Sequence, residues 1–279
     1  MFQHFLITRF NLRKADWKTN KKNVAVLTEE WHANRFDLFT NYCFPSVASQ
    51  TQKNFKWLVF FDTNTSVKYR SLITKLQQEL PQFTPLFVDG MDAFLPTLQE
   101  HVASCEAPYI ISSGLDNDDC LSKHYVASVQ RRFVEQDFMA VDFIDGYTLQ
   151  VSPTIKLGKK LHLFNPFISL IEKNEQPKTV SMVSHRNWKR ETNIIHVPNE
   201  RIWASVIHQE NKVNEFTGYD AVATDHFFDL FVISENKKQH ILANILPQQE
   251  WKLTSFRNKL DSKWNVASKK IKKKLGFYK

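Results

Sequence analysis

The chain has 279 residues, 42% of them hydrophobic and 13% aromatic, which is enough apolar material for one large folded domain or for one domain with an appendage. No apolar run approaches the roughly 20 residues that a membrane-spanning helix needs, and residues 1–9 lack the basic-then-apolar pattern of a signal peptide, so they read as a first strand. The formal charge of +8 is local: residues 251–279 hold ten Lys or Arg and one acid, Asp261, leaving 27 basic and 28 acidic residues in 1–250, a near-neutral body that argues against nucleic-acid binding.

Along the first 120 residues, strand-like and helix-like segments alternate. Residues 2–8 form a strand, and apolar residues at helical spacing (Phe36, Phe39, Cys43, Val47) predict a helix from about Arg35 to Gln50. Phe55-Lys56-Trp57-Leu58-Val59-Phe60-Phe61 reads as a buried strand ending at Asp62. A helix follows from Ser66 to Leu80, stopped by Pro81. Pro85–Val88 is a short strand, Asp92–Ala103 a helix and Tyr109-Ile110-Ile111 a fourth strand. Alternation of this kind predicts a mostly parallel sheet flanked by helices, whose ligands bind beyond the carboxyl ends of the strands. Three polar groups arrive there: Thr8-Arg9-Phe10-Asn11, Asp62, and the run Asp116-Asn117-Asp118-Asp119.

Three carboxylates within four residues at the end of a buried strand repel one another and lose hydration near the core, so they call for a positive partner. Side chains alternate along an extended segment, so Asp116 and Asp118 face the same way, as a holder for a divalent cation would require. The alternative is an acidic turn, in which Asp119 caps a helix opened by "DCLSKHY". Six glycines, with no G-x-G-x-x-G and no Walker A loop, argue against a Rossmann dehydrogenase or a P-loop NTPase. The three cysteines, Cys43, Cys105 and Cys120, lack metal-ligand spacing and suit a reduced, cytoplasmic compartment.

The order of these pieces resembles nucleotide-sugar glycosyltransferases of the GT-A fold. "YCFPSVASQTQKNFKWLVFFDTNT" (42–65) is similar to their helix, Ser-x-x-x-Gln-Thr turn and second strand. "YIISSGLDNDDCL" (109–121) is similar to their fourth strand and Asp-x-Asp-Asp signature. More narrowly, "TRFN" (8–11), "LDNDD" (115–119), "NPFISLIE" (165–172) and "RIWASVIHQEN" (201–211) resemble the putative rhamnosyltransferase family of bacterial surface-polysaccharide genes, over roughly residues 1–215.

The resemblance implies an inverting, metal-dependent hexosyltransferase that moves a sugar, plausibly L-rhamnose, from a nucleotide-sugar donor to a glycan or lipid-linked acceptor, with Mn2+ or Mg2+ as cofactor. It implies Asp116 near the ribose, Asp118 and a late His208 on the metal, and Asp62 at the base or ribose. It also implies an Arg before Leu115, where this chain has Gly114, so a phosphate or ribose contact is missing or comes from another residue. Thr8, Arg9 and Asn11 complete the candidate donor contacts, Arg9 being either a diphosphate fork or a surface ion pair. Arg35 reads as a solvated charge. The acceptor hydroxyl needs a base. Glu172 is the first candidate and the carboxylates of "VDFIDGY", Asp145 and Asp142, stand behind it. The bland reading of Glu172 is a solvated helix residue, and His185 reads as structural.

The chain divides as 1–250, the catalytic domain, and 251–279, a basic C-terminal helix. In the latter, Leu253, Phe256, Leu260, Trp264, Ala267, Ile271 and Leu275 recur at spacings of three and four. Such a helix either lies in an anionic membrane interface, making the enzyme peripheral on the cytoplasmic face, or packs its stripe on the body. Two rival functions use the same features. One is a nucleotidyltransferase or phosphohydrolase built on the Asp cluster, and the other is a non-catalytic glycan- or membrane-binding protein.

Overall fold

The computed structural model describes residues 1–14, 26–182, 185–209 and 215–278. The chain opens with strand β1 (Phe2–Arg9). Helix α1 (Glu29–Leu38) runs through one π turn (Phe39–Cys43) into α2 (Phe44–Ala48). It starts six residues before the expected Arg35 because the Thr28 side chain accepts the Trp31 N–H at 3.2 Å and caps it. Pro45 cannot return a bond to Asn41, whose carbonyl instead accepts the Ser234 N–H at 2.8 Å.

Then come β2 (Lys56–Asp62), α3 (Val67–Glu79), β3 (Phe83–Val88), α4 (Phe94–Ala103) and β4 (Tyr109–Gly114). β3 carries Pro85 without penalty because it is an edge strand. After β4 the chain forms β5 (Cys120–Leu121), α5 (Tyr125–Gln130), β6 (Phe138–Phe143), β7 (Asp145–Gln150), β8 (Lys156–Leu161) and β9 (Ser169–Lys173). The short α6 (Thr179–Met182), β10 (Ile194–Val197), β11 (Trp203–Ile207), α7 (Thr224–Leu230), α8 (Glu235–Asn244) and the long α9 (Lys252–Lys274) complete it.

Seven strands form the main sheet in the order β10-β6-β9-β4-β1-β2-β3, parallel except for β9, which runs antiparallel to β4 and β6. The alternation within β2 explains its unbroken apolar run. Trp57, Val59 and Phe61 enter one core, while Leu58 and Phe60 enter the core on the other face. A second sheet, β5-β11-β7-β8, covers a third core closed by α7 and α8 through Phe227, Phe231 and Ile241.

Among the described residues the chain crosses between the sheets five times. Ile144 alone separates β6 from β7, and residues 115–119, the acidic run, carry the chain from β4 in the first sheet to β5 in the second. The cluster therefore sits at the junction of the sheets. Cys120 and Leu121 pair with Ala204 and Trp203 as a strand, so the expected helix after Asp119 begins only at Tyr125 and Asp119 is not its cap.

Candidate active site

The junction loop is fixed from below by the Ser46-x-x-x-Gln50-Thr51 turn. Buried Gln50 donates to the Ser46 and Ser122 carbonyls at 3.0 and 2.7 Å and accepts the Val126 N–H at 2.9 Å, while Ser46 Oγ accepts the Leu121 N–H at 3.1 Å. From the β1 side, Asn117 donates to the Phe10 carbonyl at 2.9 Å. The Asp side chains are thus held on a rigid loop, and their charges depend on what faces them.

Asp118 is buried, and its Oδ2 accepts from Arg35 Nη1 at 2.7 Å and lies 2.9 Å from His208 Nε2, which follows β11. Burial opposes ionisation of Asp118. The Arg35 charge and the bonds from His208 and Arg35 outweigh it and hold the carboxyl down at about 2. Asp119 is buried and, among the described residues, has the Val206 N–H, at 2.8 Å, as its one hydrogen-bond donor. Burial, and then the charges of Asp118 and Asp116, push its pKa well above the usual carboxylate range. Asp116 is exposed to solvent beside them. Crowding by surrounding protein and the Asp118 charge raise its pKa, against the pull of Arg9 and Arg35. Three adjacent carboxyls therefore differ: one is firmly ionised and its two neighbours are shifted upward.

Arg35 is the residue that sequence reasoning missed. Its side chain is only 12% exposed, so it is not a solvated charge, and it also donates to Asn117 Oδ1 at 3.1 Å. A Cβ on Gly114 would come within 3.3 Å of the Pro166 carbonyl, which disfavours a side chain where the resemblance implied an arginine. The cations near the cluster come instead from α1, as Arg35, from the end of β1, as Arg9, and from β8, as Lys160, whose charge acts on Asp119.

Arg9 is exposed and reaches over the Phe94 ring at 5.7 Å from its centroid, and its charge acts on Asp116. The other expected donor contacts are buried and already engaged. Thr8 Oγ1 accepts from Trp57 Nε1 at 2.9 Å. Asn11 accepts the Asp62 N–H at 3.0 Å and donates to Thr65 Oγ1 at 3.0 Å. Asp62 accepts from the Asn64 N–H and from Arg13. The Arg13 and Asn64 bonds overcome burial and lower its pKa. These three residues shape the β1 and β2 loops around the site.

The structure does not bring Glu172 to the cluster. It lies in β9 opposite Ile110, at the far end of β4 from the acidic loop, and is buried rather than solvated. Its carboxylate accepts the Lys178 and Thr179 N–H groups at 2.9 and 2.8 Å, and burial raises its pKa. Asp145 pairs with Arg201 at 2.8 Å and accepts the Asn199 N–H, and it stands four residues down the β7–β11 ladder from the level of Val206. Asp142 is fully buried, accepting from the Phe164 N–H and Asn165 and contacting His196. Glu210 and Asn211, from the fourth resembling segment, and the side chain of His185 lie outside the described residues.

Among the described residues no three His, Cys, Asp or Glu side chains group closely enough to hold a metal ion by themselves. The junction brings two potential ligand atoms, Asp118 Oδ2 and His208 Nε2, within 2.9 Å of each other; Oδ2 also accepts from Arg35, so an ion bound there would have to take over the place of that guanidinium. A carboxylate oxygen and an imidazole nitrogen fit an ion that takes its remaining ligands from phosphate and water.

Comparison with solved structures gives likenesses to crystallised glycosyltransferases. The chain is similar to S. aureus TarS residues 1–349 in complex with UDP-GlcNAc, at 12% identity over 87% of this chain and 71% of that one, with a TM-score of 0.45. It is also similar to the mannosyltransferase PcManGT from Pyrobaculum calidifontis in complex with GDP-Man and Mn2+, at 9% identity over 75% and 58%, with a TM-score of 0.41. No curated protein matches the sequence. The largely parallel sheet flanked by helices, with a C-terminal helix, agrees with the α/β architecture expected from the sequence. A family model described as "Putative rhamnosyl transferase" matches residues 3–219, from β1 through the junction loop to the Lys159–Tyr219 bridge, and the chain belongs to that family of glycosyltransferases.

Proposed function

We propose that the enzyme transfers L-rhamnose, with inversion, from its nucleotide-sugar donor to a surface-polysaccharide or lipid-linked glycan acceptor, using Mn2+ or Mg2+ held by Asp118 and His208. The observation that carries this reading is the 2.9 Å contact between Asp118 and His208, side chains 90 residues apart that converge at the C-terminal edge of the main sheet. Asp118 is ionised at any physiological pH and so is ready to bind a cation without first losing a proton. When bound, such an ion supplies charge stabilisation to the departing nucleoside diphosphate. Arg9, exposed beside the cluster, offers a guanidinium fork to the donor's phosphates, and Asp116, also exposed, accepts from a ribose hydroxyl. Arg35 keeps Asp118 ionised and fixes its carboxylate. The acceptor is met at an anionic membrane surface on the cytoplasmic side, to which the basic C-terminal helix holds the enzyme.

The test is thermal melting with a panel of sugar nucleotides, each with Mn2+ and with chelator, followed by assay of nucleoside diphosphate release on adding acceptor. At ligand about 100-fold above Kd, binding should stabilise the fold by about 2.7 kcal/mol. Nucleotide-linked rhamnose should give the largest rise, and only with metal. Equal stabilisation in chelator would overturn the metal role. A response confined to nucleoside triphosphates, with pyrophosphate released, would overturn sugar transfer.

A further inference from the structure

Helix α9 is amphipathic, and it is seated with its apolar stripe away from the protein. The face turned to the body carries Ser255, Ser262 and Val266, all buried. Polar contacts hold this face. Ser255 Oγ accepts the Asp220 N–H at 2.9 Å, and Asn258 donates to the Gly218 carbonyl at 2.9 Å. Lys259 reaches both Asp220 oxygens at 2.9 Å, and Lys269 donates to the Leu163 carbonyl at 2.8 Å. The seam also holds an open cleft of about 610 Å³ walled by Lys160, His162, Lys269, Leu163, Trp264 and Val266, so the attachment rests on these polar contacts together with the burial of Val266 alone among the helix's large apolar side chains.

The stripe expected from the sequence, Leu253, Phe256, Leu260, Trp264, Ile271 and Leu275, is 53–87% exposed. At about 100° per residue its centre lies about 180° from the centre of the body-facing residues. Exposed Lys252, Lys263, Lys270 and Lys274 border the stripe on one side, and Arg257 and Lys272 lie toward the other. Asp261, the one acid in the helix, lies on the side of Arg257 and pairs with it at 3.6 Å, so the positive border is the one that carries the four lysines.

We infer that α9 docks the enzyme on an anionic lipid surface, lying flat with the stripe inserted between headgroups and the lysines along its borders paired with lipid phosphates. Charge selects this occupant. A second copy of the chain packed stripe to stripe, antiparallel, would set the border of Lys252, Lys263, Lys270 and Lys274 against its own copy, whereas an anionic bilayer complements it. A helix of 23 residues gives a contact about 35 Å long. Among the described residues no helix is long and apolar enough to cross a membrane, so α9 lies in the interface. The inference deepens the proposed meeting with a lipid-borne acceptor, but its test uses no sugar transfer, so its failure would leave the donor-site reading untouched.

The experiment is co-sedimentation of the full chain with vesicles of phosphatidylcholine alone and of phosphatidylcholine mixed with phosphatidylglycerol, together with size-exclusion chromatography. The full chain should run as a monomer and bind the mixed vesicles at least about tenfold more tightly, the lysine contribution falling with added salt. Leu260→Ser/Trp264→Ser should lose most of this binding with an unchanged melting temperature, because both side chains are exposed. Lys263→Glu/Lys270→Glu should lose the preference for anionic lipid. Failure to bind either vesicle, variants that bind like the parent chain, or a dimer that Leu260→Ser/Trp264→Ser converts to monomer would each overturn the inference.

Discussion

Asp118→Asn and Asp119→Asn, two changes one residue apart, should move stability in different directions. The Asp118 carboxyl, ordinarily near 3.8, is held at about 2 in the folded chain. The folded state therefore binds that proton more weakly than the unfolded one. Its contribution is complete above about pH 4 and is lost as pH falls toward 2. At 1.36 kcal/mol per pH unit the difference amounts to about 2.5 kcal/mol. Part of this is offset, because losing the Asp118 charge also relieves Asp116 and Asp119, which it repels. What remains is a destabilisation of about 1–2 kcal/mol at pH 7, or about 2–6 °C in Tm for a chain of this size.

Asp119 carries the opposite sign. Its folded pKa is raised, so its ionised form costs stability at pH 7, and an Asn there keeps an oxygen for the Val206 N–H. Asp119→Asn should leave Tm unchanged or raise it. Denaturant unfolding of both variants, with Arg35→Met and the Arg35→Met/Asp118→Asn double variant, completes the cycle. The Arg35–Asp118 coupling should be at least about 1 kcal/mol, because both side chains are nearly buried. If Asp118→Asn matches the parent chain while Asp119→Asn falls, burial rather than pairing governs the cluster and the charge assignment is wrong.

Two further outcomes follow from residues away from the cluster. Glu172→Gln should keep turnover within about threefold while losing about 1–2 kcal/mol of stability: unlike Asp119, Glu172 accepts a backbone N–H on each oxygen, so the amide would set its own N–H against one of the two donors; a hundredfold fall in kcat at unchanged fold would return Glu172 to the reacting centre. Fully buried His4, bonded to Ser113 Oγ at 2.9 Å, has its pKa lowered by burial to about 3, so the folded state takes up its proton far less readily than the unfolded state at 6.5. Stability from this residue is present above pH 6.5 and is lost as pH falls toward 3. Between pH 7 and 5.5 the loss should be about 1.2 kcal/mol, and His4→Asn should remove that slope in urea titrations.

How much of this was legible depends on the distance over which each signal acts. β2 was legible because a parallel strand covered on both faces writes its burial as a continuous run, Trp57 to Phe61. The acidic loop was legible because its three carboxylates are neighbours in the chain. Arg35 was not, because its partner Asp118 is 83 residues away and its own surroundings, Glu29, Glu30 and Asp37, look like any solvated helix. Glu172 was misjudged for a related reason. "ISLIE" is a short apolar run that fits a strand or a helix equally, and only pairing with β4 and β6 fixes which end of the sheet it reaches. Asn11 and Asp62 were placed at the right loops, but the sequence could not show that each would be engaged by the other.

The C-terminal helix shows the same limit in another form. Spacings of three and four reveal that α9 has an apolar stripe, and the ordinary expectation is that such a stripe faces the core. Six side chains buried there would stabilise the fold by about 1.5–3 kcal/mol each, so a body surface of matching shape and polarity would have captured them. The surface that α9 meets is not of that kind. It presents the Leu163 and Gly218 carbonyls and the Asp220 carboxylate, groups that must keep hydrogen-bond donors wherever the helix covers them. Lys259, Asn258 and Lys269 supply those donors, and they lie on the side of the helix opposite the stripe. The orientation of α9 is thus decided by acceptors on segments 39 to 106 residues away in the chain. The apolar stripe faces outward because the polar face is the one that the body can satisfy.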